Sequence, residues 1–192
     1  MGRPKSYSRD AVVEKAMSVF WQNGYKATSV SDIVRETGLN TASMYKEFGD
    51  KEGLFSEALH HYRDHIIGPR YRILIDNPNM SGVEMFLRNV FLGAAKKEYK
   101  GCLMMNHLAQ KNVIGPDAVK QVGAFCAEIE SLVETALFNA QSDGEIGPEK
   151  DVAQLASFIV FCVHGTVLYG RHDEKKHMIP KFYDMIMQEL RS

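Results

Sequence analysis

Apolar residues recur every three or four positions along most of the chain, which is the spacing of one face of an α-helix. Few stretches alternate strictly between apolar and polar residues, as a half-buried β-strand would. The pattern therefore predicts an all-α protein of about nine helices. A long fourth helix capped by Asp50 is predicted to reach Gly68-Pro69, with a kinked continuation to Asn77-Pro78.

The first quarter of the chain contains the signals of two short helices joined by a tight turn. Ser29 can cap the first of them, and Asp32, three residues later, resembles the partner in a capping box. Gly38 permits the positive φ of the turn, and Asn40 or Thr41 can cap the second short helix. With the amphipathic helix upstream, this arrangement is typical of a helix-turn-helix that binds DNA.

The outward positions near the start of the second short helix would meet base edges in the major groove. These positions are Thr41, Ala42, Ser43 and Lys46. Because the formal net charge of the chain is −1, affinity for DNA must come from local positive charge. Arg3, Lys5 and Arg9 could form a basic arm that reaches phosphates or the minor groove; a solubilising tail is the alternative.

The rest of the chain is predicted to form a larger helical domain, residues 56–192, after a DNA-binding domain at residues 1–55. Ser81 is predicted to cap one of its helices, and Pro116 and Pro148 each follow a glycine at a predicted helix start. The last two helices carry wide apolar faces. We expect them to form a homodimer interface, although burial within one subunit is the alternative.

The first quarter resembles the amino-terminal domain of the tetracycline-repressor (TetR) family of transcriptional regulators. The resemblance covers roughly residues 10–56 and is carried by Phe20, Gly24-Tyr25, Thr28-Ser29-Val30, Asp32-Ile33, Gly38, Met44-Tyr45, Phe48, Lys51-Glu52 and Leu54. It implies that the Thr28-Ser29 pair, Tyr45 and Lys51 meet DNA phosphates. Two positions depart from the family pattern. The position of Thr41 is often occupied by lysine or arginine in the family, and the position of Glu47 is often occupied by histidine. The resemblance therefore predicts how the helix-turn-helix docks on DNA, but it does not predict the operator sequence.

The resemblance also implies a ligand-responsive regulator, expected to be a repressor, that binds double-stranded operator DNA as a homodimer through its last two helices. A two-fold dimer presents its recognition helices to successive major grooves about 34 Å apart, which selects a palindromic site. A small-molecule effector is expected to enter a pocket among the central helices and move the fourth helix. The candidate pocket residues, for which plain core packing is the alternative, are Met85, Phe86, Met104, Met105, Phe125, Phe158, Phe161 and His164.

Cys102 lies in a Gly-Cys-Leu element similar to the one that opens the sixth helix in a subgroup of this family. Some members of that subgroup sense electrophiles or oxidants through the cysteine, and a helix amino terminus favours a thiolate. The alternative role is a small apolar plug. Wide spacing from Cys126 and Cys162 argues against a disulfide framework and a CxxC zinc site, and we expect no cofactor.

A helical metal-dependent enzyme is the competing interpretation, because His61 and His65 are four residues apart and could share one helix face. The sequence contains no HExxH, GxSxG or P-loop motif, so we expect no enzyme. We also find no run of 18 apolar residues and no apolar signal core at the amino terminus. These observations predict a cytoplasmic protein without a membrane partner.

Overall fold

The structure, a computed structural model, describes residues 7–109 and 112–191, and these residues form an all-α protein. The predicted arm residues Arg3 and Lys5 lie outside the described residues. Helices α1 to α3 span Arg9–Asn23, Val30–Thr37 and Thr41–Phe48. Helix α4 comprises an α-helical segment Lys51–Tyr62, a π-helical turn Arg63–Ile67 and a second α-helical segment Gly68–Asp76. Helices α5 to α9 span Met80–Ala94, Leu103–Leu108, Pro116–Ser142, Val152–Tyr169 and Ile179–Arg191, with a 3₁₀ helix Asp173–Met178 before α9.

Short polar side chains hold the ends of the first helices. Ser29 accepts a hydrogen bond from the backbone N–H of Asp32 at 3.1 Å, and the Asp32 carboxylate accepts one from the N–H of Ser29 at 3.0 Å. This reciprocal pair confirms the predicted capping box. Gly38 has a φ of 73°, and Asn40 caps α3 by accepting from the N–H of Ser43 at 2.8 Å. The predicted helix-turn-helix is therefore present.

The predicted kink in α4 takes the form of a π-helical turn. The N–H of Gly68 donates to the carbonyl of Arg63, five residues earlier instead of four. Pro69 follows directly, and its ring has no N–H to donate to the carbonyl of His65. The helix therefore widens by one residue at this point and then continues to Asp76.

Two predicted helix starts are wrong. Asn79 caps α5, in place of Ser81, by accepting from a backbone N–H three residues later at 3.1 Å. Asp151 caps α8 in the same way at 3.0 Å, so α8 begins after the turn that contains Pro148. Asparagine and aspartate are strong N-cap residues, and here they outcompete a serine and a glycine-proline pair close by.

One continuous hydrophobic core joins the first helices to the larger bundle. Phe20 of α1 and Phe55 of α4 pack edge to face with ring centroids 5.0 Å apart, and Trp21 packs on Tyr62 at the same distance. Helix α8 packs against α5, α6 and α7 as a core helix of the bundle. Its length and composition are also those of a possible membrane span, as can be true of the core helix of a soluble protein, and 33% of it is buried within this chain.

Candidate nucleic-acid interface and effector cavity

Helix α3 presents a polar face to solvent because its apolar residues anchor the opposite face. Met44 is fully buried and Phe48 is 8% exposed, so the helix cannot roll without losing core contacts. Thr41, Ala42 and Lys46 are exposed and Ser43 is half-buried. Tyr45 is 49% exposed, so its ring and hydroxyl are accessible from solvent. All five predicted contact residues of α3 therefore lie on or beside one accessible surface, and these five are Thr41, Ala42, Ser43, Tyr45 and Lys46.

The Thr28-Ser29 pair divides into a buried and an exposed residue. Thr28 is 1% exposed and its hydroxyl donates to the carbonyl of Gly24 at 2.7 Å, so its side chain holds the turn before α2. The expectation of a phosphate contact from this hydroxyl is corrected, because the group faces the protein. Ser29 is exposed, and its hydroxyl donates to Asp32 at 2.6 Å. Hydrogen bonds from Ser29, together with Arg35, lower the pKa of Asp32 to about 2, which keeps this cap ionised.

Two basic residues near α3 are held by neighbouring side chains. The Nζ of Lys51 lies 4.2 Å from the ring centroid of Tyr25, and partial burial lowers the pKa of Lys51. Arg9 forms a two-point ion pair with Glu57, with nitrogen to oxygen distances of 2.9 and 3.1 Å. The expectation that Arg9 belongs to a free basic arm is therefore wrong, because its charge is matched within the protein. Lys51 stays at the edge of the α3 surface.

His107 connects the sensing side of the protein to the DNA-binding helices, a role that the sequence did not predict. Its Nδ1 lies 2.7 Å from the carbonyl of Leu103, and its Nε2 accepts from the backbone N–H of Tyr25 at 3.1 Å. Because Nε2 accepts, the imidazole is neutral and carries its proton on Nδ1. His107 is 1% exposed and packs on Phe55 with ring centroids 4.8 Å apart. Burial lowers its pKa, which favours this neutral form.

Two pairs of polar side chains with equal spacing on both helices join the first part of α4 to α7. Ser56 of α4 donates to Gln121 of α7 at 2.9 Å, and the Gln121 amide donates back to the Ser56 carbonyl at 3.1 Å. Seven residues further along each helix, Arg63 donates from Nε to Glu128 at 3.1 Å. This part of α4 therefore runs parallel to α7.

A cavity of about 50 Å³ lies among helices α4 to α8. Five of the eight candidate pocket residues line it, namely Phe86, Met104, Met105, Phe125 and His164. Arg70 and Tyr71 of α4 also line it, and the hydroxyl of Tyr71 donates to the Phe125 carbonyl at 3.1 Å. Burial lowers the pKa of His164. The walls are mostly apolar, with polar groups from α4 and α8.

The other three candidate pocket residues lie elsewhere, so their assignment to the pocket is wrong. Met85 is 47% exposed on α5, while Phe158 and Phe161 are exposed on the outer face of α8. Helix α8 is apolar on nearly all sides, and its pattern therefore did not distinguish the inner face from the outer one. Val163 and Val167, with His164, form the inner face towards the cavity.

The outer faces of α8 and α9 form an apolar groove of about 1020 Å³. Phe158 and Gly165 of α8 and Phe182 and Met185 of α9 line it. Phe161, next to the groove on α8, is 76% exposed. Exposed apolar patches of this kind mark interaction surfaces in soluble proteins.

Cys102 is buried at the amino terminus of α6 and lines the cavity among α4 to α8. Cys126 of α7 lines the same cavity, and burial raises the pKa of its thiol to about 11. Cys102 is 8% exposed, so bulk solvent has little access to its side chain.

The histidine pair behind the enzyme interpretation lies on the first part of α4. The ring centroids of His61 and His65 are 4.2 Å apart, and burial, followed by the neighbouring His65, lowers the pKa of His61. Within the part of the chain that the structure describes, no group of three or more His, Cys, Asp or Glu side chains could hold a metal ion. The metal-enzyme interpretation therefore gains no support.

The anchored α3, its exposed polar face and the glycine turn before it define a helix-turn-helix DNA-binding protein. Residues 12–58 match the family described as bacterial regulatory proteins, tetR family. Over 175 residues the chain is 34% identical to the HTH-type transcriptional repressor ComR of Escherichia coli (strain K12), covering 88% of this chain and 82% of that protein. The chain belongs to the TetR family of transcriptional regulators, which are not enzymes.

Solved structures of the family share the complete fold. A cysteine mutant of the TetR family transcriptional regulator CifR, complexed with 26-bp double-strand operator DNA, has a TM-score of 0.77 and 25% identity, and the match covers 99% of both chains. The reduced form of E. coli NemR has a TM-score of 0.83 at 14% identity and covers 96% of this chain and 97% of that one. The similarity to NemR therefore shows a shared fold only.

Proposed function

We propose that the chain is a cytoplasmic, homodimeric repressor that binds palindromic operator DNA and releases it when a small molecule enters the cavity among α4 to α8. Residues 1–55 form its DNA-binding domain and residues 56–192 its sensing and dimerisation domain. The observation that carries the proposal is α3, an eight-residue helix anchored by Met44 and Phe48 with its polar face open to solvent. The CifR relative, similar over the full chain, was solved on operator DNA.

The surface of α3 suits the mixed contacts of a DNA groove. Thr41, Ala42 and Ser43 are small residues that allow the helix to approach base edges closely. Tyr45, Lys46 and the exposed Ser29 can reach phosphates on either side. Thr28 supports this surface indirectly, because it fixes the turn that places α2.

Dimerisation gives the exposed outer faces of α8 and α9 a partner. Phe158, Phe161 and Leu168 recur at helical spacing on α8, and Phe182 and Met185 stand exposed on α9. Gly165 lies in the same stripe, and apart from its own stretch of helix backbone no described atom lies within 4 Å of the place where its Cβ would be, so a partner helix can approach closely. Pairing these faces across a two-fold axis makes a four-helix bundle and spaces two copies of α3 for one palindrome.

The substitution Phe161→Glu tests this dimer. Two buried rings per dimer would be replaced by two charged carboxylates, and burial of each ring contributes about 1.5–3 kcal/mol. We expect the dimer to dissociate at least about 100-fold more readily in sedimentation velocity experiments and operator affinity to fall with it. Phe138→Glu is the matched control, because Phe138 is 61% exposed on α7 away from the groove. A Phe161→Glu protein that still sediments as a dimer would contradict the proposed interface.

The sensing domain contacts the DNA-binding domain through His107, which can carry a signal from the cavity. His107 lies on the same short helix, α6, as the cavity residues Met104 and Met105, and it holds the N–H of Tyr25. The contacts of Ser56 and Arg63 lie within the sensing domain and join α4 to α7. A ligand that shifts α4 or α6 would therefore alter the position of α1 to α3.

We further propose that the chain belongs to the Gly-Cys-Leu subgroup and that Cys102 reacts with small electrophiles or oxidants that enter the cavity. Its position on the cavity wall supports access through the cavity, and its burial opposes access from bulk solvent. Native protein treated with iodoacetamide at neutral pH and analysed by mass spectrometry should label at Cys102 before Cys126 and Cys162. Equal or slower labelling of Cys102 would leave it a packing residue.

A further inference from the structure

Arg70 places a permanent positive charge on the wall of an otherwise apolar cavity. It lies on the second segment of α4, one residue before Tyr71, and it is half-buried. The remaining described residues that line the cavity are apolar, aromatic, sulfur-containing or, in His164, a histidine whose pKa is lowered by burial. Arginine is rarely placed against such walls without a partner of opposite charge.

Two acidic residues that act electrostatically on side chains of the cavity wall are already bound to other side chains. Glu128 is paired with Arg63, and Glu130 accepts a hydrogen bond from Ser157. Within residues 7–109 and 112–191, no carboxylate lies at ion-pair distance from Arg70. One guanidinium nitrogen lies 3.5 Å from the position that a Cβ on Gly93 of α5 would take, so the group sits where α4 meets α5. Its hydrogen-bond donors are available to a ligand.

The dimensions of the cavity limit the size of that ligand. A single water needs about 10–15 Å³ of such space, so about 50 Å³ holds only a few non-hydrogen atoms before the walls adjust. Met104 and Met105 form part of the wall, and unbranched methionine side chains can adjust to enlarge it. Phe86 of α5 and Phe125 of α7 provide aromatic surface opposite. A short aliphatic chain fits this shape, and a single ring requires the methionine side chains to move aside.

We propose that the cavity binds small carboxylates, with the carboxylate on Arg70 and the hydrocarbon or ring between Met104, Phe86 and Phe125. A guanidinium offers two parallel N–H donors to a carboxylate, and the half-buried position strengthens this pairing. The inference rests on the proposed function, since it names the chemical class of the effector. It also gives the ligand a direct contact with the α4 segment that follows the π-helical turn.

The test measures direct binding of butanoate and benzoate to the purified protein by isothermal titration calorimetry, with butanamide and benzamide as neutral counterparts of the same shape. We expect the carboxylates to bind at least about tenfold more tightly than the amides, because a hydrogen-bonded charge pair contributes more than about 1.4 kcal/mol. Arg70→Gln should remove this preference, and Arg70→Lys should retain part of it. Arg72→Ala is the matched control, because Arg72 is exposed two residues away on the same helix.

Each outcome has a clear meaning. Failure of both carboxylates to bind, amides that bind equally well, or an equal loss in Arg72→Ala would overturn the inference. Operator binding of the wild type and the Arg70→Gln protein without any carboxylate is measured in parallel by fluorescence anisotropy. If both proteins bind the operator while the carboxylates do not bind, the effector class is wrong and the proposed function stands. If carboxylates bind and no operator is bound, the proposed function fails instead.

Discussion

The substitution His107→Ala is expected to lower the free energy of unfolding by about 2–4 kcal/mol. The buried N–H of Tyr25 would lose its acceptor, which costs about 1–3 kcal/mol, and removal of the ring would leave a cavity beside Phe55. Urea denaturation followed by circular dichroism measures the change. His177→Ala is the control, because His177 is exposed and its loss should change stability by less than about 0.5 kcal/mol.

The same residue predicts a pH dependence of stability. Burial lowers the pKa of His107 in the folded protein, so the unfolded chain binds the proton more readily. The contribution of neutral His107 to the stability of the folded protein is therefore fully present above the ordinary histidine pKa of about 6.5. It is lost as the pH falls towards the lower pKa that His107 has in the folded protein. His61 and His164 shift in the same direction and contribute to the slope. The effect of His107 is therefore isolated by comparing the wild type with His107→Gln: the free energy of unfolding of each protein is measured at pH 7.5 and at pH 5.5.

His107→Gln keeps an acceptor for the N–H of Tyr25 but cannot be protonated. We expect it to retain part of the stability at pH 7.5 and to show a shallower decrease on acidification than the wild type. An identical pH dependence in the two proteins would contradict the neutral, hydrogen-bonded state of His107. A His107→Ala protein as stable as the wild type would contradict its role as a link between α6 and the DNA-binding helices.

The substitution Tyr45→Ala is expected to weaken operator binding at least about 150-fold without changing the dimer. Each phenol would give up one hydrogen bond to a charged phosphate, worth at least about 1.5 kcal/mol, and the dimer contains two of them. Since Tyr45 is 49% exposed, truncation should leave stability nearly unchanged. Fluorescence anisotropy with labelled operator measures the affinity, and sedimentation velocity measures the dimer.

Two further variants make this result specific. Tyr45→Phe removes only the hydroxyl, so it should account for most of the loss if a phosphate hydrogen bond is responsible. Phe138→Ala truncates an aromatic side chain of similar exposure far from α3 and should bind the operator as the wild type does. If the affinity of Tyr45→Ala for the operator is unchanged, the ring does not contact DNA and serves only to cover the surface of α3.

The helix ends and the helix-turn-helix could be predicted because local sequence determines them. The capping box of Ser29 and Asp32, the turn at Gly38 and the cap of Asn40 each depend on residues within a few positions of one another. The misplaced starts of α5 and α8 have the same origin, since Asn79 and Asp151 compete with neighbouring signals of the same kind. The local sequence therefore predicted these two helices correctly but did not determine their first residues.

The cavity and its coupling to the DNA-binding helices could not be predicted as fully, because they depend on contacts between distant segments. His107 meets Tyr25 across 82 positions of sequence, and no local pattern marks that pair. Phe158 and Phe161 were placed in the pocket because α8 is apolar on nearly all its sides. Thr28 was expected at the DNA because of its family position, whereas its hydroxyl folds back on Gly24. Position in the sequence alone did not specify the direction of these side chains.

A dimer of this chain that reads a palindromic site with α3 should select that site from a whole genome. Fragmented genomic DNA of the organism that encodes the protein is bound to the wild-type protein and to Tyr45→Ala, washed at increasing salt, and the retained fragments are sequenced. We expect an enriched palindrome whose half-sites lie about one helical turn or a multiple apart, retained by the wild type to higher salt than by the variant. Retention without an enriched palindrome, or equal retention by both proteins, would contradict this expectation.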